Sequence, residues 1–88
     1  MNETLRLRGG KLEWREIEGE VVALDGATAE YLGVNRSGGA LWPLLAEGAT
    51  REVLVARLVE RFDIDPERAG HDVDGFLGTL RERGLLEA

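Results

Sequence analysis

The chain has no cysteine. Disulfide staples, cysteine-based zinc sites and thiol nucleophiles are therefore excluded, and packing alone must hold the fold. There is one histidine, His71. Standing alone on the polar side of a helix, it reads as solvated, because a metal site needs several ligands. No apolar run approaches the roughly 20 residues that span a bilayer. The N-terminus has no apolar signal-peptide core, so a cytoplasmic location and no membrane partner are expected. Positive charge is also scarce: 11 Lys and Arg face 17 Asp and Glu, for a net charge of −6. Nucleic-acid binding depends on Lys and Arg displacing counterions from phosphates, so this balance argues against it.

Catalytic patterns are missing as well. The glycines form neither GxGxxG after a strand nor a P-loop. Asp72 and Asp74 flank Val73 on a helix and point apart, so they cannot share a proton as an acid–base couple. Asp63 and Asp65 belong to a loop and a cap, with no calcium-loop pattern around them. No enzyme, cofactor or metal is expected.

The apolar pattern is informative. With 88 residues, one domain over 1–88 is expected, its first ten residues a poorly determined segment. Leu5 to Arg8 alternates, and Gly9-Gly10 can make a tight hairpin to the next alternating run, Lys11 to Arg15, with Leu12 and Trp14 on one face. A turn at Glu18-Gly19 leads to a β-branched run over 20–24. Asp25-Gly26 is a turn signal, and 28–35 is a third extended run with Leu32 and Val34 on one face and Tyr31, Gly33 and Asn35 on the other. Residues 11–35 thus read as a three-stranded antiparallel meander.

The period then changes. A short helix over 40–46 starts from Ser37 or Asn35 as N-cap and stops at Gly48. If Ser37 caps it, Pro43 is a mid-helix residue and kinks it. If Gly38 and Gly39 belong to a sharp turn, Pro43 falls in the first turn, and helix regularity favours that reading. Thr50 caps a helix over 51–62 with Leu54, Leu58 and Phe62 on one stripe and Val55 and Val59 beside it. Asp65-Pro66 opens a third helix to about Arg83, with Ala69, Val73, Phe76, Leu77 and Leu80 at helical spacing. Leu85-Leu86 folds back on the core after Gly84. The order predicts an α+β fold, winged-helix-like, a three-stranded meander followed by three α-helices on one face.

In this order the third strand has a free edge with one charge and neither Lys nor Pro to blunt it. At this point the sequence resembles the PqqD-like family, the leader-peptide recognition elements of ribosomally made, modified peptides. The resemblance rests on VVALD at 21–25, YLGVN at 31–35, SGGALW at 37–42, Glu47-Gly48, the helix at 53–62, and DVDGFL at 72–77 through Leu80 to GLL at 84–86. It implies a stand-alone, non-catalytic module that binds the leader of a precursor peptide and brings it to a modifying enzyme or leader protease. The leader would lie antiparallel to the third strand, at Glu30, Tyr31, Leu32, Gly33 and Val34. The third helix would form the other wall, through Asp72, Val73, Phe76, Thr79, Leu80 and Arg83. Main-chain bonds would hold any extended peptide, and side-chain pockets would select. Gly75 and Gly78 lower helix propensity and suit either close approach of another backbone or tolerant surface positions.

Two other readings use the same features. A winged-helix DNA-binding or regulatory domain would need a basic recognition helix, yet residues 65–83 carry five acids against three bases. A structural dimerisation domain would pair the free edge with that of a second copy in a homodimer.

Overall fold

The computed structural model describes residues 3–10 and 12–87. Lys11, the expected start of the first meander strand, and Ala88 lie outside the described residues. The elements are β1 (Thr4–Leu5), β2 (Leu12–Ile17), β3 (Glu20–Asp25), β4 (Glu30–Val34), α1 (Arg36–Glu47), β5 (Ala49–Thr50), α2 (Arg51–Phe62) and α3 (Pro66–Glu82). The expected α+β architecture is present: an antiparallel sheet in the order β2-β3-β4, followed by three helices.

Turn chemistry sets the meander. Ile17 pairs with Glu20 across a two-residue turn, where Glu18 and Gly19 both have positive φ, 52° and 84°. That is the turn whose twist matches a two-residue hairpin. At the next turn Asp25 accepts the Ala27 N–H on its carboxylate at 3.0 Å and the Ala29 N–H on its carbonyl at 2.7 Å. The inner face of the sheet carries Val21, Ala23 and Val34, all buried. Trp14, Ala23 and Leu32 line up across the three strands. Small Ala23 leaves room for Trp14 to meet Trp42 of α1 edge-on, with centroids 6.2 Å apart.

The helices start as their caps dictate. Thr50 accepts from the Val53 N–H at 3.3 Å and Asp65 from the Arg68 N–H at 2.9 Å, each satisfying a first-turn donor. Leu54 and Leu58 of α2, and Ala69, Val73, Leu77 and Leu80 of α3, are buried together with Leu41, Trp42 and Leu45 of α1. Each fully buried Leu contributes about 1.5–3 kcal/mol.

Four expectations need correction. First, Gly9-Gly10 does not join a hairpin. β1 pairs antiparallel with β5, Leu7 bridges Leu86, and Leu5 and Leu7 are core residues. The opening segment is thus a seam between the α1–α2 junction and the returning Leu85-Leu86 tail, which folds back as expected. Second, of the two candidate caps Ser37 is not the one used: Asn35 caps α1, and its side chain accepts the Gly38 N–H at 3.0 Å. Third, α1 therefore begins at Arg36, and Pro43 lies inside it, well past the first turn. Its missing N–H deprives the Gly39 carbonyl of a helical donor; the ring is on the exposed side, and the helix runs on to Glu47. Fourth, Gly38 and Gly39 are helical and have no positive φ. They are small because other groups press on them. A Cβ at Gly39 would stand 2.5 Å from the Gly19 carbonyl oxygen, and one at Gly38 would meet Val34 and Phe76.

Candidate functional site

β4 is an edge of its sheet, and its register decides which backbone groups are free. In an antiparallel pair successive residues turn their N–H and C=O alternately to one neighbour and the other. Ile17 and Glu20 flank the tight turn and pair with each other, so Glu20, Val22 and Leu24 turn toward β2. Val21, Ala23 and Asp25 turn toward β4, where their partners are Val34, Leu32 and Glu30. Those three use their main-chain groups inside the sheet. Tyr31 and Gly33 turn theirs outward. Side chains alternate the other way: Tyr31 is 70% exposed on the outer face, while Val34 is 6% exposed on the inner one.

The edge runs between two hollows that involve α3. At the start of β4, Glu30, Tyr31 and Leu32 share a shallow depression with Arg83, Leu85, Leu12, Ala23 and Asp25. Past its end, Asp72, Gly75, Phe76 and Thr79 of α3 face the cap residue Asn35 and Ser37, Gly38 and Leu41 of α1 across a cavity of about 520 Å³, with Leu58, Arg68 and His71 completing it. Apolar groups form its depth through Phe76, Leu41 and Leu58, and polar groups its rim. A roomier hollow of about 920 Å³ opens at the start of α3, but Arg51, Asp65, Glu67, Arg68, His71 and Asp74 make it mostly charged. There Arg51 binds Asp74 with 2.7 and 2.9 Å bonds, which hold the Asp74 carboxyl below and the Arg51 guanidinium above their ordinary ranges.

The expected site residues divide by depth. Glu30, Tyr31, Gly33, Thr79 and Arg83 are exposed, and Leu32, Asp72 and Phe76 half-buried. Val73 and Leu80, by contrast, are fully buried. Their side chains belong to the core and do not reach the groove surface, since an i, i+7 pair on one helical stripe goes inward together. Thr79 donates its hydroxyl to the Gly75 carbonyl at 3.2 Å. A Cβ at Gly75 or Gly78 would have nothing within 4 Å, so no packing inside this chain demands glycine there. Among the described residues no group of three or more His, Asp or Glu side chains is placed to hold a metal ion, and no helix is long and apolar enough to cross a membrane.

Asn35, Ser37, Gly38 and Leu41 line the groove without having been expected there. The signal was present in the Asn-x-x-Gly spacing, which places an Asx cap and a side-chain-free position at the strand-to-helix corner. Asp25 was also missed. Arg8 reaches its carboxylate at 2.8 Å, and that hydrogen bond, followed by the Ala27 N–H, lowers its pKa from the ordinary aspartate value.

Residues 20–86 match a family model described as coenzyme PQQ synthesis protein D (PqqD). The chain also superposes on the structure of TbiB1 in complex with the TbiA(beta) leader peptide. That match has a TM-score of 0.84 and 29% sequence identity, and covers 94% of this chain and 95% of that one. A lasso peptide synthetase B1 complexed with the leader peptide matches with a TM-score of 0.81 at 21% identity, covering 96% of this chain and 98% of that one; the second likeness is one of fold. No curated protein matches the chain.

Proposed function

We propose a role that proceeds from one premise: the chain belongs to the family of coenzyme PQQ synthesis protein D (PqqD). It is a module that binds the leader segment of a ribosomally made precursor peptide and has no catalytic task of its own. The leader adds as an antiparallel strand to β4, with Tyr31 and Gly33 supplying the main-chain donors and acceptors. Its inward side chains enter the two hollows along the strand, one lined by Leu32 with Glu30 and Arg83 and the other by Phe76 with Asp72 and Thr79. Strand addition holds an extended peptide through its backbone and reads alternate side chains in pockets. The module then presents the precursor to a modifying enzyme or leader protease.

The observation that carries this reading is the open β4 edge, with a half-apolar cavity between α3 and the start of α1 just past its end, in a chain whose structural relative TbiB1 is in complex with a leader peptide. Tyr31 and Gly33 answer the requirement of an added strand, which is two outward residues separated by one.

The test is calorimetric titration with a synthetic leader peptide from the precursor encoded beside this chain's gene. Saturable one-to-one binding is expected. Light scattering run alongside separates this from self-pairing: a homodimer that dissociates neither on dilution nor on adding leader, and leaves the titration flat, defeats the reading.

A further inference from the structure

Gly38 is buried in the first turn of α1, and the Asn35 side chain takes its N–H at 3.0 Å. Nothing in its backbone calls for glycine, since its φ is not positive and glycine weakens a helix relative to alanine. The requirement is spatial. A Cβ at this position would stand 2.8 Å from Cε1 and 3.2 Å from Cδ1 of Phe76, and closer still to Cγ1 of Val34. Val34 ends β4, and Phe76 lies midway along α3. The two walls of the groove therefore converge on the missing side chain of a third element.

Neither neighbour can retreat into the core. Val34 is buried in the inner row of the sheet. Phe76 is backed by Trp42, with centroids 6.4 Å apart, and Trp42 is fully buried. The open side of the Phe76 ring is the cavity it shares with Asn35, Gly75 and Thr79. A methyl group at position 38 would push the ring into that cavity and lift the end of β4, because close-packed interiors transmit such strain. Gly39 differs: its bare face meets the Gly19 carbonyl of the β2–β3 turn, so it seats the hairpin and not the groove.

We infer that Gly38 is a positioning residue that sets the spacing of β4 and α3 and so keeps the groove open to a peptide, an inference that rests on the leader-binding reading above. The experiment is a set of calorimetric titrations with the same synthetic leader on four forms: the native chain, Gly38→Ala, Val34→Ala/Phe76→Leu, and the triple variant. Circular dichroism checks that each is folded. Gly38→Ala is expected to bind at least about tenfold more weakly than the native chain. In the background with room made for it, the same substitution is expected to change affinity by less than about threefold, since its cost is coupled to those two neighbours. If Gly38→Ala does not fold, the comparison of the triple variant with its two-site parent carries the test. Native-like binding by folded Gly38→Ala overturns the inference, and so does a triple variant that binds at least about tenfold more weakly than its two-site parent, or fails to fold where that parent folds. No binding by the native chain overturns the leader-binding reading itself, which is a separate outcome.

Discussion

Arg8 lies 2.8 Å from the nearly buried carboxylate of Asp25. That pair ties the opening segment to the β3–β4 turn, where the open edge of the sheet begins. Arg8 also donates its N–H to the Leu85 carbonyl at 2.7 Å, so one residue holds together the start of the chain, the sheet and the tail.

The Arg8 hydrogen bond lowers the Asp25 pKa from its ordinary value. An unfolded aspartate titrates near pH ~3.9. The stabilisation is complete above that pH and is lost as pH falls through the lower folded value. Asp25→Asn should therefore lower the thermal midpoint at neutral pH and flatten its decline below about pH 4. Thermal unfolding of both forms across that range checks this. The Arg51–Asp74 pair has the same sign, but both side chains are about half exposed, so solvent screens it and its removal should change stability little.

Proline separates the two directions of β4. Tyr31→Pro or Gly33→Pro removes an outward N–H and should weaken leader binding at least about tenfold, with little loss of stability, as edge strands tolerate proline on their open side. Leu32→Pro removes an inward N–H opposite Ala23 and should destabilise the sheet itself. Calorimetry and thermal midpoints, measured on all three, distinguish these outcomes.

Gly39→Ala should destabilise the chain by about 1–3 kcal/mol. Its Cβ would meet backbone, the Gly19 carbonyl, with no flexible side chain to yield. Urea unfolding measures the change. The slope of the transition should stay native, because the surface exposed on unfolding is unchanged.

Depth on α3 predicts a division of labour. Leu80→Ala empties a fully buried position and should cost about 2–5 kcal/mol of stability. Arg83→Ala, on the exposed side by Glu30 and Leu32, should leave stability within about 0.5 kcal/mol while weakening leader binding.

The elements with a clear period were legible in the sequence. Thr50 and Asp65-Pro66 mark the starts of α2 and α3 because capping is local chemistry. The meander was legible because Glu18-Gly19 and Asp25-Gly26 are turn residues between alternating runs. The β1–β5 pairing was not, since its partner Ala49-Thr50 is too short to show a period and its register is set by distant packing. Gly38 and Gly39 were visible as glycines, but the reason for them was not. Their neighbours Val34, Phe76 and Gly19 come from three other parts of the chain. The edge strand could be located from the strand order. Which of its residues face outward needed the register, and which α3 residues are core needed their depth.

The most direct test of the account is amide hydrogen exchange read by NMR, with and without saturating leader peptide. The N–H groups of Tyr31 and Gly33 should exchange freely in the unbound chain and become protected on binding, while those of Leu32 and Val34, already paired with β3, should be protected in both states. Binding that saturates while Tyr31 and Gly33 stay unprotected would contradict strand addition to β4.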